Sequence, residues 1–459
     1  MPNISRLQVI PDKIKAKLGK NSGLKKILSN VSWLFAERIL AMAVSFFIGV
    51  YVIRYLGVVD FGKLSYGVSF VALFASLAKL GLDSIVVRNL VQEEEATSEI
   101  LGTAFLLKLI AAVVTVALIA YSAIAFKGEP ETYWITTIIG LGLVFNSFEV
   151  VNFWFQSQVL SKAVAIVRSI QLIISSVSKL CFIALKLPLM AFVWLLLIET
   201  IIRALGMVWI YARHSQSIWH WRFKFDRAIS LLRDSWPLIL SAVMVTIYMK
   251  IDQVMLGNMA DNRAVGNYAA AVRFSEVWYF VPTAICSSVF PSIIRAKQRS
   301  KAEYNTKLQQ LYDLMAGMSL ILALIMTFAS STIVSGLLGE GYTEAGNILA
   351  LHIWAGPFVF LGVARSQWLM TENLTWLSFA TTSLGTVTNL LLNFWLIPFY
   401  GGVGAAIATV ISYAVASYFT CLLYPRMFST AWMLTKALLI PIRWRLHLRY
   451  LKRIKKMLL

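Results

Sequence analysis

Apolar stretches of nearly membrane-spanning length follow one another along this chain from about residue 31 to residue 425, separated by short polar segments. A helix that crosses a bilayer needs roughly 20 apolar residues at a rise of about 1.5 Å per residue. Hydrophobic residues make up 59% of the chain and charged residues 14%, with a mean hydropathy of +0.72, which departs far from a soluble domain. We therefore predict an all-α integral membrane protein with about twelve transmembrane helices. These spans are predicted near 31–56, 61–82, 101–125, 132–156, 160–184, 188–212, 236–258, 267–294, 308–334, 344–370, 376–398 and 402–424.

The polar loop 213–235 divides the predicted spans into two sets of six. The loop after the first span contains Tyr55-Leu56-Gly57 and the loop after the seventh contains Met255-Leu256-Gly257, an echo that indicates an internal repeat. A repeat of this kind predicts a binding site at the interface of the two halves. The predicted organisation is a basic N-terminal segment 1–30, an N-terminal lobe 31–212, the loop 213–235, a C-terminal lobe 236–425 and a basic amphipathic tail 426–459.

The net charge of +20 is compatible with nucleic-acid binding. The positions of the basic residues show whether the charge indicates nucleic-acid binding or membrane topology. Lysine and arginine concentrate before the first span, after the last, and in the loops 213–235 and 295–307. An even number of spans puts all four regions on one side, and connections on the other side, such as 335–343, carry few or none. This positive-inside pattern predicts a multi-pass protein with both termini cytoplasmic and argues against a nucleic-acid partner. The tail is expected to lie on membrane lipids of the inner leaflet, although a basic tail with no specific task fits equally well.

Cysteine and glycine patterns argue against other chemistry. Cys181, Cys286 and Cys421 all fall within predicted spans and form neither a disulfide framework nor a metal-ligand spacing. The segment Gly57–Leu64 has the glycine and lysine spacing of a Walker A loop, but Leu64 stands where a hydroxyl would bind Mg²⁺. A tight turn between two spans explains this segment better. The sequence thus predicts a protein that is not an enzyme and that has no metal site, no bound cofactor and no direct coupling to ATP.

Polar and charged residues recur inside the predicted spans and form helical stripes. Each charge costs about 2.5–3.5 kcal/mol at a helix centre, so such residues normally face a bundle interior or a water-filled cavity. Glu199 and Arg203, four residues apart on the sixth span, are expected to form an ion pair. For any single polar residue, a structural hydrogen bond between helices remains an alternative. The stripes comprise Asn146, Glu149, Asn152 and Gln156 on the fourth span, and Arg168, Gln171, Ser175, Ser178 and Lys179 on the fifth.

A second cluster falls on the seventh and eighth spans, which run in opposite directions. It contains Lys250, Asp252, Arg273 and Glu276. Asp252 lies six residues before the end of the seventh span and Arg273 about six after the start of the eighth, which puts both at one depth. Because an unpaired charge at that depth is expensive, we expect Asp252 and Arg273 to be energetically coupled.

Other polar residues within the spans are assigned structural or open roles. Lys79 and Lys108 lie near cytoplasmic ends of spans, where a long side chain can reach the interface, so a structural role is expected. Asn389 and Asn393 on the eleventh span repeat the helical spacing without charge.

Short motifs surround the turns after the first and seventh spans and follow the second span: Arg54–Gly57, Phe61-Gly62, Leu64–Tyr66, Leu80–Leu82, Val87-Arg88, Lys250–Gly257 and Gly266–Tyr268. With them the chain resembles the oligosaccharide flippases of polysaccharide export, the O-antigen and repeat-unit (Wzx-type) flippases. This family belongs to the superfamily that also contains multidrug extruders and lipid II flippases. The resemblance implies two six-helix lobes around a central cavity that opens alternately to each side of a bacterial plasma membrane. The implied substrate is an oligosaccharide on a polyprenyl diphosphate, and the implied partners include polysaccharide polymerase and glycosyltransferases.

The stripes fit that implied substrate, because a diphosphate needs fixed cations and sugars need polar groups. The cationic cavity residues are predicted to be Arg168, Lys179, Arg203, Lys250 and Arg273. The polar lining is predicted to be Asn146, Asn152, Gln156 and Gln171. Charge balance, or coupling to H⁺ or Na⁺, is assigned to Glu149, Asp252 and Glu276.

Two other functions remain open on this sequence. A cation-coupled multidrug extruder of the same superfamily would favour an acidic, aromatic cavity, whereas the charges inside these spans lean basic. A non-transporting membrane scaffold for polysaccharide assembly would need no charged stripes inside its spans.

Overall fold

The computed structural model describes residues 22–126, 130–214 and 216–443, and within them it contains helices and turns but no strand. The all-α prediction is therefore confirmed. Most of the predicted N-terminal segment, up to residue 21, and the tail beyond residue 443 lie outside the described residues, as do both termini.

The first half of the chain, which we call the N-lobe, contains seven α-helices in the described residues. They are α1 Ser22–Lys79, α2 Asp83–Gln92, α3 Thr97–Phe126, α4 Pro130–Asn146, α5 Val150–Ser157, α6 Ser161–Ala184 and α7 Leu189–Arg213.

The second half, which we call the C-lobe, contains nine. They are α8 Phe225–Met259, α9 Asn262–Glu276, α10 Phe280–Arg299, α11 Lys301–Leu338, α12 Thr343–His352, α13 Ala355–Thr371, α14 Thr375–Ala414, α15 Thr420–Leu423 and α16 Phe428–Leu438, with a π-helical turn at Val415–Phe419 between α14 and α15.

Nine helical stretches of the described chain are long and apolar enough to cross a membrane, and a bent pair makes ten. Two stretches, Ile39–Gln92 and Thr375–Leu423, have 54 and 49 residues, more than twice what one crossing needs. Each contains a glycine in the left-handed region, Gly57 with φ 71° and Gly401 with φ 52°, where the helix breaks. Residues from both arms of α1 line the same cavity, so the chain turns back at Gly57. Division at both glycines gives twelve segments, in agreement with the predicted spans.

Three segments are broken inside the bundle. The 3₁₀ turn Ser147–Glu149 separates α4 from α5, and the 3₁₀ turn Val277–Tyr279 separates α9 from α10. The bent pair, α12 and α13, meets at 45°. Breaks of this kind interrupt the backbone hydrogen-bond ladder and are typical of hinges and of binding sites in transporters. Glu149 is the last residue of the turn 147–149 and Glu276 directly precedes the turn 277–279, so two of the three predicted acids lie at breaks.

The loop predicted over 213–235 is shorter in the structure, because α8 begins at Phe225. Arg227, in the first turn of α8, donates hydrogen bonds to Glu93 at 2.6 Å and to Glu99 at 3.2 Å. The Arg227 guanidinium holds the pKa of Glu93 below its usual value. The polar residues that suggested a loop therefore form an amphipathic extension of α8 that is fastened to the N-lobe.

The backbones of the two lobes meet beside the turn at Gly57, along what we call the glycine seam: Val58 and Gly62 of the N-lobe with Asn262 and Gly266 of the C-lobe. A side chain at Gly62 would overlap the carbonyl oxygen of Asn262, and one at Gly266 would overlap the carbonyl oxygen of Val58. The contacts are reciprocal, since each lobe supplies one glycine and one carbonyl. Glycine is needed here because only a residue without Cβ lets two backbones approach this closely.

Side chains continue the contact between the lobes below the glycine seam. The Tyr342 hydroxyl donates to the carbonyl oxygen of Ile53 at 2.8 Å, and the Ser69 hydroxyl donates to Gln253 Oε1 at 2.7 Å. The largest hydrophobic cluster in the described residues combines buried side chains of both lobes here. The Gly57 end of the bundle is therefore closed, and the cavities described below lie deeper in the bundle.

Candidate substrate cavity

A cavity of about 900 Å³, which we call the main cavity, lies inside the N-lobe among α1, α4, α5, α6 and α7. The polar stripes of the fourth and fifth predicted spans turn toward each other across it, as expected of helix faces repeating every three to four residues. Its wall extends to Gln156 and Ser161, at the turn that joins α5 and α6. Eight of the twelve predicted site residues line it: Asn146, Glu149, Asn152, Gln156, Arg168, Gln171, Lys179 and Arg203.

The cations of the main cavity differ in how they are paired. Lys179 Nζ lies 2.8 Å from Glu199 Oε1, and Ser175 bonds to both groups, at 2.8 Å and 2.5 Å. Arg203 Nε donates to Gln171 Oε1 at 3.0 Å. Among the described residues Arg168 has no hydrogen-bond or ion-pair partner. Arg168 and Arg203 therefore form no ion pair with any carboxylate of the described residues.

The ion pair predicted between Glu199 and Arg203 is wrong. Four-residue spacing puts both side chains on one face of α7, but that face packs against α6. Lys179 reaches Glu199 from α6, while Arg203, one turn farther along, meets Gln171. Glu199 is only 14% exposed, and its place on the cavity wall makes it a site residue, whereas the sequence predicted for it only an ion pair.

A second cavity of about 390 Å³, which we call the bridging cavity, lies between the lobes. It shares Ser45, Leu172, Ser175 and Lys179 with the main cavity, so the two form one chamber. Three predicted residues of the C-lobe line it: Lys250, Arg273 and Glu276.

The charges of the bridging cavity are also unequal. Lys250 Nζ lies 3.8 Å from Glu276 Oε2, whereas Arg273 has no carboxylate partner in the described chain. Arg273 Nη2 instead donates to the carbonyl oxygen of Ser45 at 2.8 Å and lies against Gly49. Any side chain at Gly49 would collide with this guanidinium. Arg273 of the C-lobe, which forms no ion pair in the described chain, thus contacts α1 of the N-lobe.

Asp252 lies on neither cavity wall and does not meet Arg273, with which it was expected to be energetically coupled. It is 3% exposed and accepts hydrogen bonds from Tyr268 at 2.6 Å, Thr409 at 2.8 Å and Asn393 at 2.5 Å. Position along two antiparallel helices determines how deep in the membrane each side chain lies, but not which neighbouring helix it faces. Lys250 points into the chamber, whereas Asp252, two residues later, points toward α14.

The side chain of Lys108 was expected to reach the membrane interface, but it is buried. It is 2% exposed, and its Nζ lies 3.6 Å from Glu149, 3.9 Å from Asp83 and 4.9 Å from the ring centre of Phe153. The lysine therefore stands behind the cavity wall and partly offsets the charge of Glu149.

A buried arginine in the C-lobe belongs to none of the predicted polar stripes. Arg365 on α13 is 5% exposed and donates to the carbonyl oxygen of Ala416 at 2.9 Å and to Thr381 Oγ1 at 3.0 Å. Ala416 lies in the π-helical turn, where backbone carbonyls leave the regular ladder. No polar stripe accompanies Arg365 on its own helix, because its partners come from α14 and the π-helical turn.

Two family models match the chain. Residues 27–297 match the model described as polysaccharide biosynthesis protein, and residues 237–395 match the MatE model.

Two relatives and one solved structure are also similar to this chain. The probable flippase AglR of Haloferax volcanii is 24% identical over 421 residues, which cover 90% of this chain and 85% of that protein. A putative O-antigen transporter of Shigella dysenteriae is 24% identical over 189 residues, 40% of this chain and 46% of that protein. The structure of the lipid II flippase MurJ in an inward closed conformation superposes with a TM-score of 0.71 at 15% identity, over 90% of this chain and 92% of that one. The likeness to MurJ concerns the fold.

Proposed function

Because the chain belongs to the polysaccharide biosynthesis protein family, we propose that it is a flippase that moves oligosaccharide linked to polyprenyl diphosphate across the plasma membrane. The observation that carries the proposal is the chamber between and within the lobes, which holds three arginines without a carboxylate partner in the described chain. A flippase named as such is similar over most of the chain, and a lipid II flippase shares its fold.

The three unpaired arginines, Arg168, Arg203 and Arg273, are the groups best suited to the diphosphate. Of the five predicted cations, Lys179 and Lys250 each have a glutamate within 4 Å, so an anion must compete for them. Arginine offers a planar fork of donors that matches two phosphate oxygens at once and is more easily desolvated than an ammonium group. The diphosphate is therefore held chiefly by arginine.

The sugars nearest the diphosphate have amides within reach. Asn146, Asn152 and Gln156 line the main cavity, and each amide both donates and accepts hydrogen bonds. Gln171 also lines the main cavity, but its carbonyl oxygen already accepts a hydrogen bond from Arg203. The lipid tail stays in the bilayer, so the chamber needs to enclose only the polar part of the substrate.

The direction of opening follows from the closed end. The glycine seam closes the bundle beside Gly57, which the distribution of basic residues assigns to the outer side. On that assignment both termini are cytoplasmic and the chamber in this state serves the inner leaflet of a bacterial plasma membrane. Transport then requires the seam to separate while the opposite end closes.

Coupling to H⁺ or Na⁺ is assigned to the three predicted acids. Glu149 and Glu276 line the chamber, each at a 3₁₀ turn and within 4 Å of a lysine. A proton or Na⁺ bound to either carboxylate would neutralise it and so weaken its attraction to the lysine. Asp252 would act through the packing of α8 against α14, since it lies away from the chamber. Polysaccharide polymerase and glycosyltransferases remain proposed partners of the protein.

A cation-coupled multidrug extruder is the second candidate, because the MatE model matches residues 237–395. The unpaired arginines disfavour it, since a cationic drug would be repelled from the chamber.

The test is export in a strain that lacks the gene, complemented with single variants. Arg168→Ala and Arg203→Ala should each cut surface polysaccharide and raise the lipid-linked saccharide on the cytoplasmic leaflet. Arg295→Ala is the matched control, because this exposed arginine on α10 lies outside the chamber. Protein level in the membrane is measured for every strain. Normal export by both cavity variants at normal protein level would contradict the proposal.

A further inference from the structure

A third pocket, of about 370 Å³, lies in the C-lobe among α8, α13 and α14 and shares no residue with the chamber. We call it the hydroxyl pocket. No charged residue lines it, and its polar character comes from serine and threonine, with one aromatic ring on the wall. These residues are Ser241, Ser366, Thr375, Ser378, Thr382 and Phe379.

Three hydroxyls on α14 have no hydrogen-bond partner among the described residues: those of Thr375, Ser378 and Thr382. They recur at helical spacing and so share one face of the helix. Serine and threonine in membrane helices usually bond back to a carbonyl of their own helix, as Ser241 and Ser366 do here at 3.0 Å and 2.7 Å. The three hydroxyls on α14 are instead able to donate hydrogen bonds to a ligand in the pocket.

The hydroxyl pocket is the repeat counterpart of part of the main cavity. The main cavity involves the first, fourth and fifth spans of the N-lobe, and the hydroxyl pocket involves the same three spans of the C-lobe. Aligning Gly57 with Gly257 pairs Ala41 and Ser45 of the main cavity with Ser241 and Val245 of the hydroxyl pocket. A repeat of this kind puts the two sites at the same depth on opposite lobes, one charged and one neutral.

The lining selects among the parts of the proposed substrate. A diphosphate would find no cation there, and an acyl chain would contact Val245, Leu369 and Met370 of the lining but could not bond to the three hydroxyl donors. A neutral sugar supplies acceptors and donors to the hydroxyls and an apolar ring face to Phe379, which is 38% exposed. The volume is near the lower end of the roughly 300–1,000 Å³ of ligand pockets, enough for the end of a saccharide but not for a whole repeat unit.

We infer that the hydroxyl pocket binds uncharged sugars at the end of the oligosaccharide remote from the diphosphate. The inference rests on the proposed function and adds to it a second subsite with a different chemistry. The chamber holds the charged end, the hydroxyl pocket binds the neutral end, and the length of the saccharide decides whether both sites are filled.

The experiment combines a change in the protein with a change in the substrate. The variant Thr375→Val/Ser378→Ala/Thr382→Val removes the three donors with little change of shape. It is expressed in two strains that lack the native gene, one making the complete repeat unit and one lacking the last-acting glycosyltransferase, which makes a shortened unit. Export of the complete unit should fall roughly tenfold, since several hydrogen bonds are lost together. Export of the shortened unit should change less than about twofold, because that unit does not reach the pocket.

Matched variants separate the subsite from general damage. Thr388→Val is the control on the same helix, because its hydroxyl bonds to Leu384 of its own turn at 2.8 Å. If the triple variant fails to reach the membrane, Phe379→Leu replaces it, and the same selective loss is expected. Equal loss of both units, or loss of neither, would overturn the subsite. Arg168→Ala should reduce both units alike, and failure of the wild-type chain to restore either unit would refute the proposed function itself.

Discussion

The hydrogen-bonded cluster around Asp252 allows a prediction with a magnitude. Asp252→Ala removes the acceptor shared by three buried donors, on Tyr268, Asn393 and Thr409, and leaves each with one longer bond, to Thr409, Asn389 and Ala405 respectively. A hydrogen bond to a charged group contributes about 1.5–3 kcal/mol, whereas interhelical bonds measured in a membrane protein average about 0.6 and reach about 1.7 kcal/mol. The Thr409 bond is short and buried, so we expect a coupling free energy of about 1–2 kcal/mol between Asp252→Ala and Thr409→Val.

The assay is a pair of double-mutant cycles on purified protein, unfolded by SDS in mixed micelles. The second cycle combines Asp252→Ala with Arg273→Ala, which should be additive within about 0.5 kcal/mol because the two side chains do not meet. Asp252→Ala should destabilise the protein in both cycles. Additivity of Asp252 with Thr409, or a coupling above about 1 kcal/mol with Arg273, would refute this account of the C-lobe.

Three further changes test other contacts. Gly266→Val should hold the glycine seam apart and abolish export; a cysteine introduced at buried Ser69 should then react with an impermeant reagent added outside, and unchanged protection would contradict the seam. Glu149→Gln should destabilise the protein by about 1–2 kcal/mol in thermal unfolding, because the buried ammonium of Lys108 loses its nearest carboxylate, and adding Lys108→Met should recover most of the loss. Arg365→Lys should lower stability by about 1–3 kcal/mol in the same measurement, since one ammonium cannot reach the several acceptors of the guanidinium; stability equal to the wild type would show that the fork is not needed.

Much of the candidate site could be predicted from the sequence because helix geometry is local. A stripe such as Asn152 and Gln156, four residues apart, shares a face whatever lies around the helix. The cost of burying such groups in lipid then turns that face toward the interior, and both residues line the main cavity. The hydroxyls of α14 carry the same spacing, but threonine and serine occur widely in membrane helices, so nothing in the sequence distinguished them from hydroxyls that bond to their own backbone.

The sequence by itself determined the number of spans, the turn at Gly57 and the polar faces, because bilayer thickness and the helical period act on each segment separately. Only the tertiary structure decided which partner each charge meets. Glu199 could reach Arg203 on its own helix, yet it pairs with Lys179 of α6, and Asp252 shares a depth with Arg273 but bonds to α14 and α9. The partner of each charge depends on the orientation of its helix about the helix axis and on which neighbouring helix it faces. Rotation and neighbour are set by the packing of the whole bundle, and no single segment contains that information.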